Sequence, residues 1–165
     1  MLKKDIVFLI IGILGASISI IGLTQARAPL FYVVGSSLLF ITASHFKLIF
    51  FIALEIILMA GHGAKLLNIG PVLQMAIPIL LCVQLLVFYL LSGKLYNIFL
   101  IIGIAGIAAL SIGLSYEDQW IFFFGSLAIA IFAYSYFYKK PPVLIWAVMN
   151  TIFALTALFK IIFYS

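Results

Sequence analysis

The chain is short of charge, short of cysteine and without any polar stretch long enough to build a water-facing surface. Charged residues are 8% of its 165, against about a quarter in soluble domains, which excludes an ordinary soluble core-and-shell fold. Cys82 is the only cysteine. One thiol rules out a disulfide within the chain and a thiolate metal site, and its apolar neighbours Leu81 and Val83 suggest a small buried hydrophobe. The two histidines, His45 and His62, with one thiol and a single acid inside an apolar segment, make no recognisable metal set. No Gly-rich phosphate loop or nucleophile elbow occurs. The sequence therefore predicts no metal, no cofactor and no enzyme. A membrane enzyme would need a third catalytic group beside Glu55 and His62.

What the chain has is apolar length. Hydrophobic residues reach 67% and the mean hydropathy is +1.40. A spanning helix takes about 20 apolar residues. Cutting at charges, glycines and prolines gives seven such segments, at 6–24, 29–45, 48–67, 71–91, 96–115, 119–138 and 142–163. Pro29, Pro71 and Pro141-Pro142 sit at helix starts, where a missing N–H costs nothing. Pro78 falls inside the fourth segment, where a bundle tolerates it. The first apolar run is too long for the core of a cleaved signal peptide, so it reads as a retained span. The expected class is an all-α integral membrane protein forming one domain over 1–165.

The net charge of +5 does not imply nucleic acid, because the basic residues stand singly between spans, as topogenic charges do. Alternating the spans puts Lys3, Lys4, Lys47, Lys94, Lys139 and Lys140 on one side, and Arg27, Lys65 and Lys160 on the other. That bias predicts a cytoplasmic N-terminus and an external C-terminus, in a bacterial inner (plasma) membrane.

Comparison of the chain with itself shows a repeat. Phe8-Leu9-Ile10-Ile11-Gly12-Ile13 recurs as Phe99-Leu100-Ile101-Ile102-Gly103-Ile104, and ten of the seventeen positions 8–24 are identical to positions 91 further on. Gly15 meets Gly106 and Gly22 meets Gly113; Gly35-Ser36 meets Gly125-Ser126 at an offset of 90, and Lys65 meets Lys160 at 95. Residues 6–67 and 96–163 thus read as two three-helix repeats, with 71–91 a connector helix. One intervening helix makes two such repeats parallel, about an axis along the membrane normal. Gly12, Gly15, Ala16 and Ser19, like Gly103, Gly106 and Ala109, have the spacing that lets helices approach closely in lipid.

An ionisable group costs at least ~2.5–3.5 kcal/mol at the centre of a span, so each needs a reason. Glu55 is the one acid well inside a span, and its counterpart at the offset of 95 is Asn150; Phe51 pairs with Trp146 in the same register. Equivalent positions of two parallel repeats face each other across their axis. The sequence therefore predicts a polar layer (Glu55, Asn150) beside an aromatic layer (Phe51, Trp146), suited to a planar or sugar-like solute. His62 and Lys65 lie on the same face of the third span as Glu55. Tyr134 reads as part of an aromatic belt or as a lining residue, and Gln74 and Gln84 as satisfied by neighbouring helices. Glu55 has three open roles: solute binding, proton relay, or a structural pairing.

These features resemble the 3+1+3 transporters, both the SWEET sugar facilitators and the PnuC-type vitamin transporters. Trp146-x-x-x-Asn150 resembles the C-terminal part of the latter's tryptophan–asparagine signature; Val143 stands where an upstream tryptophan would fall, and no Pro-Gln dipeptide occurs. Compact size and Met149-Asn150 are similar to the small YgjV-like inner-membrane proteins. The resemblance implies a transporter of a vitamin-, nucleoside- or sugar-like solute, working by alternating access between two halves. For a cationic riboside, Glu55 would supply the counter-charge. A transporter should be open to one side at the level of Glu55 and Asn150, whereas a non-transporting scaffold or assembly partner should be packed there. The expected partners are a small solute and the lipid bilayer, with a homo-oligomer allowed by the size.

Overall fold

The computed structural model describes residues 3–164. Seven helices cover almost all of them: α1 (Lys3–Gly22), α2 (Ala28–His45), α3 (Ile49–Leu66), α4 (Pro71–Leu91), α5 (Ile98–Tyr116), α6 (Gln119–Phe137) and α7 (Leu144–Tyr164), the last preceded by a 3-10 turn at Pro141–Val143. All seven spans are long and apolar enough to cross a membrane, and they fit an integral membrane protein. The expected segments and the observed helices agree to within three residues at each boundary.

The helix ends follow from local chemistry. Asn97 and Asp118 accept hydrogen bonds from the Phe99 and Ile121 amides and so start α5 and α6. Lys47, Asn68, Gly93 and Glu117 adopt positive φ just beyond the ends of α2, α3, α4 and α5. At each of these the following amide bonds back to a carbonyl five residues earlier, as Leu48 does to Ala43 and Asp118 to Gly113. Such short stops force neighbouring helices antiparallel, so successive connections alternate between two ends of the bundle. The end where α1 begins is called here the N-terminal end, and the end where α7 finishes the C-terminal end.

Consecutive helices pack in order from α1 to α7, α1 closes against α7, and α3 touches α5. Small residues set the tightest contacts. A methyl on Gly15 would sit 2.8 Å from the Gly35 carbonyl oxygen, and one on Gly106 3.1 Å from that of Gly125. Only glycine permits backbones this close. Helix α4 packs on α3 and α5; its Pro78 ring packs beside Gly61 of α3, and Cys82 is buried as expected.

The bundle is inverted relative to a soluble protein. Its outer surface carries isoleucine, leucine, valine and phenylalanine from every helix, whereas the buried polar residues are Ser19, Ser36, Thr42, Glu55, His62, Ser111, Ser126 and Asn150. None of these eight is on α4. Gln74 donates to the Ile69 carbonyl in the turn before its own helix, and Gln84 is exposed on the outer face of α4, so neighbouring helices satisfy neither. The Gln84 position turns away from both helices α4 packs on.

Candidate functional site

Glu55 is the seventh residue of α3, and Asn150 is the seventh of α7. Both helices begin at the N-terminal end, so at a rise of about 1.5 Å per residue both side chains lie roughly 9 Å into the bundle. Trp146, one turn before Asn150, donates its indole N–H to Glu55 Oε1 at 2.7 Å. Its ring tilts against Phe51 with centroids 4.8 Å apart. Asn150 gives its amide N–H to the Trp146 carbonyl at 2.9 Å, which holds the asparagine against its own helix. Four of the six residues expected at the site are therefore brought together, and all four lack solvent access.

The satisfaction of this cluster is incomplete. Glu55 Oε2, Asn150 Oδ1, Ser126 Oγ and Ser111 Oγ are buried without a hydrogen-bond partner, although the Ser36 hydroxyl lies near the Glu55 carboxyl. A buried polar group left unpaired costs about 1–3 kcal/mol. These four are spread over α3, α5, α6 and α7, and Ser111 lies apart from Glu55, beside His62 and Lys65.

The cavity expected at the level of Glu55 is not there. Aromatic side chains close the centre from both ends. Toward the N-terminal end, Phe132 stands 4.0 Å from Phe50 and 5.8 Å from Phe51 between ring centroids. Toward the C-terminal end, Tyr32 lies 4.7 Å from His62 and 6.3 Å from Phe153, which in turn contacts Phe122. Beyond each aromatic layer lies a vestibule. The N-terminal one, of about 600 Å³, has Phe51, Phe132 and Tyr136 among its walls together with Lys47, Lys94 and Lys139. The C-terminal one, of about 850 Å³, is lined by Tyr32, His62 and Phe122 and by Arg27, Lys65 and Lys160.

His62 thus belongs to the floor of the C-terminal vestibule, two turns from Glu55. It also borders a gap of about 10 Å³ shared with Ser111 and Lys65, room for about one water. Tyr134 is placed elsewhere: it is half-exposed on α6, where its hydroxyl accepts from Thr151 at 3.4 Å, and it lines neither vestibule. At the C-terminal mouth two lysines reach across the bundle. Lys65 donates to the Leu114 carbonyl at 3.4 Å and to Glu117 at 2.8 Å; Lys160 donates to the Leu23 carbonyl at 3.3 Å. The Lys65 ammonium holds the carboxyl of Glu117, outside the helices, below the usual carboxylate range.

Sequence reasoning missed Ser36, Ser111 and Ser126. The recurring Gly-Ser dipeptide at 35–36 and 125–126 was the available signal for two of them; its glycines make the packing contact, and its serines face the interior. Ser111 had no signal, because its aligned counterpart is Ile20. No protein-family model, curated protein or solved structure matches the chain.

Proposed function

We propose that the protein is a small-solute transporter whose site lies between two three-helix halves, α1–α3 and α5–α7, with α4 as connector. The observation that carries this reading is the pair of vestibules entering from opposite ends toward a buried layer in which Glu55 Oε2 and Asn150 Oδ1 have no partner. Alternating access needs a site that each mouth can reach in turn. The closed centre corresponds to an occluded arrangement, in which Phe51, Phe132 and Phe50 shut one side and Tyr32, His62 and Phe153 the other. Trp146 and Phe51 would stack on a planar part of the solute, and Asn150, Ser126 and the Trp146 N–H would bond its edge.

Paired contacts support the reading of the two halves as parallel copies about an axis normal to the membrane. Gly12 faces Thr42 and Ile145, while Gly103 faces Phe132 and Phe50, and each of these neighbours corresponds at the same sequence offsets. Lys65 on Leu114 and Lys160 on Leu23 form a second such pair. With that symmetry, rocking of one half against the other opens either mouth. The 3+1+3 architecture of SWEET and PnuC-type transporters is an analogy for such a mechanism.

A thermal-shift panel on detergent-purified protein tests the site, using nicotinamide riboside, other vitamins, nucleosides and simple sugars. A ligand that stabilises the wild type but neither Asn150→Ala nor Trp146→Phe supports it. A ligand that stabilises all three equally contradicts it. The aromatic packing of the centre favours one rival, a membrane scaffold or assembly partner that never opens. Spin-label distances across the two mouths separate that rival from a transporter.

A further inference from the structure

We infer that both vestibules admit anions, and hence that the solute is a small organic anion with a planar apolar body; this rests on the transporter reading. Six of the nine lysines and arginines line the two cavities. The N-terminal vestibule gathers Lys47, Lys94 and Lys139 with no acidic side chain in its lining. The C-terminal vestibule gathers Arg27, Lys65 and Lys160 with one acid, Glu117, which Lys65 already holds.

The remaining acids lie outside both cavities. Asp5 pairs with His45 at 3.1 Å, Asp118 caps α6, and Glu55 is shut off from solvent. A single-sign charge set within low-dielectric walls focuses its field and raises the local concentration of the opposite ion. Orientation signals explain the excess of six bases over three at the N-terminal end, but not the convergence of three bases on a cavity at each end. A cationic solute would meet repulsion at either mouth.

At the centre the Trp146 N–H is held by Glu55, and the unpaired Glu55 Oε2 and Asn150 Oδ1 are acceptors, so selection for an anion is made in the vestibules.

The same basic residues could instead hold the phosphates of anionic lipid headgroups, and the experiment separates the two sources. Single cysteines are placed at Tyr96→Cys in the N-terminal vestibule, Leu66→Cys in the C-terminal one, and Val72→Cys on the outer face as control, all in Cys82→Ala. Each is reacted in nanodiscs with a negatively charged sulfonate and a positively charged trimethylammonium methanethiosulfonate. The expected ratio of sulfonate to ammonium rate is about tenfold higher at the two vestibule sites than at the control. Replacing the three local bases by glutamine should return it to the control value. Equal ratios, or faster reaction with the cation, would overturn the inference. So would a preference present in neutral lipid that disappears when a third of the lipid is anionic, since headgroups would then occupy the bases. Because the assay needs no turnover, its failure is distinguishable from failure of the transporter reading.

Discussion

The first three helices and the last three use the same packing and different chemistry. Where backbones touch, the residues coincide: Gly15 on Gly35 in one half and Gly106 on Gly125 in the other. Where side chains face the interior, they part. Tyr32, Thr42, Glu55 and His62 in the first half stand at the positions of Phe122, Phe132, Asn150 and Ala157 in the second. The first half presents hydroxyls, an acid and an imidazole, while the second presents rings, an amide and a methyl. Close approach in lipid tolerates only small residues, so those positions keep their identity. The interior is under no such restriction, so its two walls are free to differ.

The largest effect should come from disturbing the shared packing. Gly15→Leu and Gly106→Leu each drive a side chain into a helix at backbone contact, and overpacking costs about 1–3 kcal/mol or more. The two variants should lower the thermal midpoint in detergent by similar amounts; a large loss for one and none for the other would break the equivalence.

Next comes the asymmetric centre. Trp146→Phe leaves Glu55 Oε1 without its donor, an unpaired buried group costing about 1–3 kcal/mol. Phe51→Leu, at the corresponding position, loses one aromatic contact of about 0.5–1.5 kcal/mol beyond area. Denaturation midpoints should therefore fall further for the tryptophan. The fourfold exchange Phe51→Trp, Glu55→Asn, Trp146→Phe and Asn150→Glu should recover stability that Glu55→Asn with Asn150→Glu alone does not, since it restores an indole–carboxylate bond between α3 and α7.

The smallest effects belong to the crossing lysines. Lys65→Met and Lys160→Met each remove a tie to a helix-end carbonyl, and Lys65→Met also removes an exposed ion pair of the kind worth about 0–1 kcal/mol. The Glu117 carboxyl is lowered in the folded state, so its contribution is complete above the ordinary carboxylate range. It should fade as pH drops through the lowered value. A pH titration of stability should show a small acid-side decline in the wild type that Glu117→Gln abolishes.

Much of this was legible in the sequence because lipid imposes a simple code. Length and hydropathy place seven spans, prolines and charges place their ends, and a lone acid aligned with a lone asparagine marks the centre. Tyr134 was ambiguous because a tyrosine near a helix end serves equally as interface anchor or lining, and rotation about α6, which decides it, is weakly encoded when every face is apolar. Gln84 misled for the same reason. The vestibule lysines read as orientation signals, since sequence gives their end of the bundle but not their convergence on a cavity.

The central claim is that the closed centre opens to each end in turn. Spin labels at Ser44 and Tyr138 report the N-terminal mouth, and labels at Gln25 and Trp120 the C-terminal mouth, each pair joining the two halves in a Cys82→Ala background. Pulsed electron–electron distances in lipid should show two populations for each pair, with conditions that widen one mouth narrowing the other. A single narrow distance at both mouths under every condition would contradict the account and leave a scaffold.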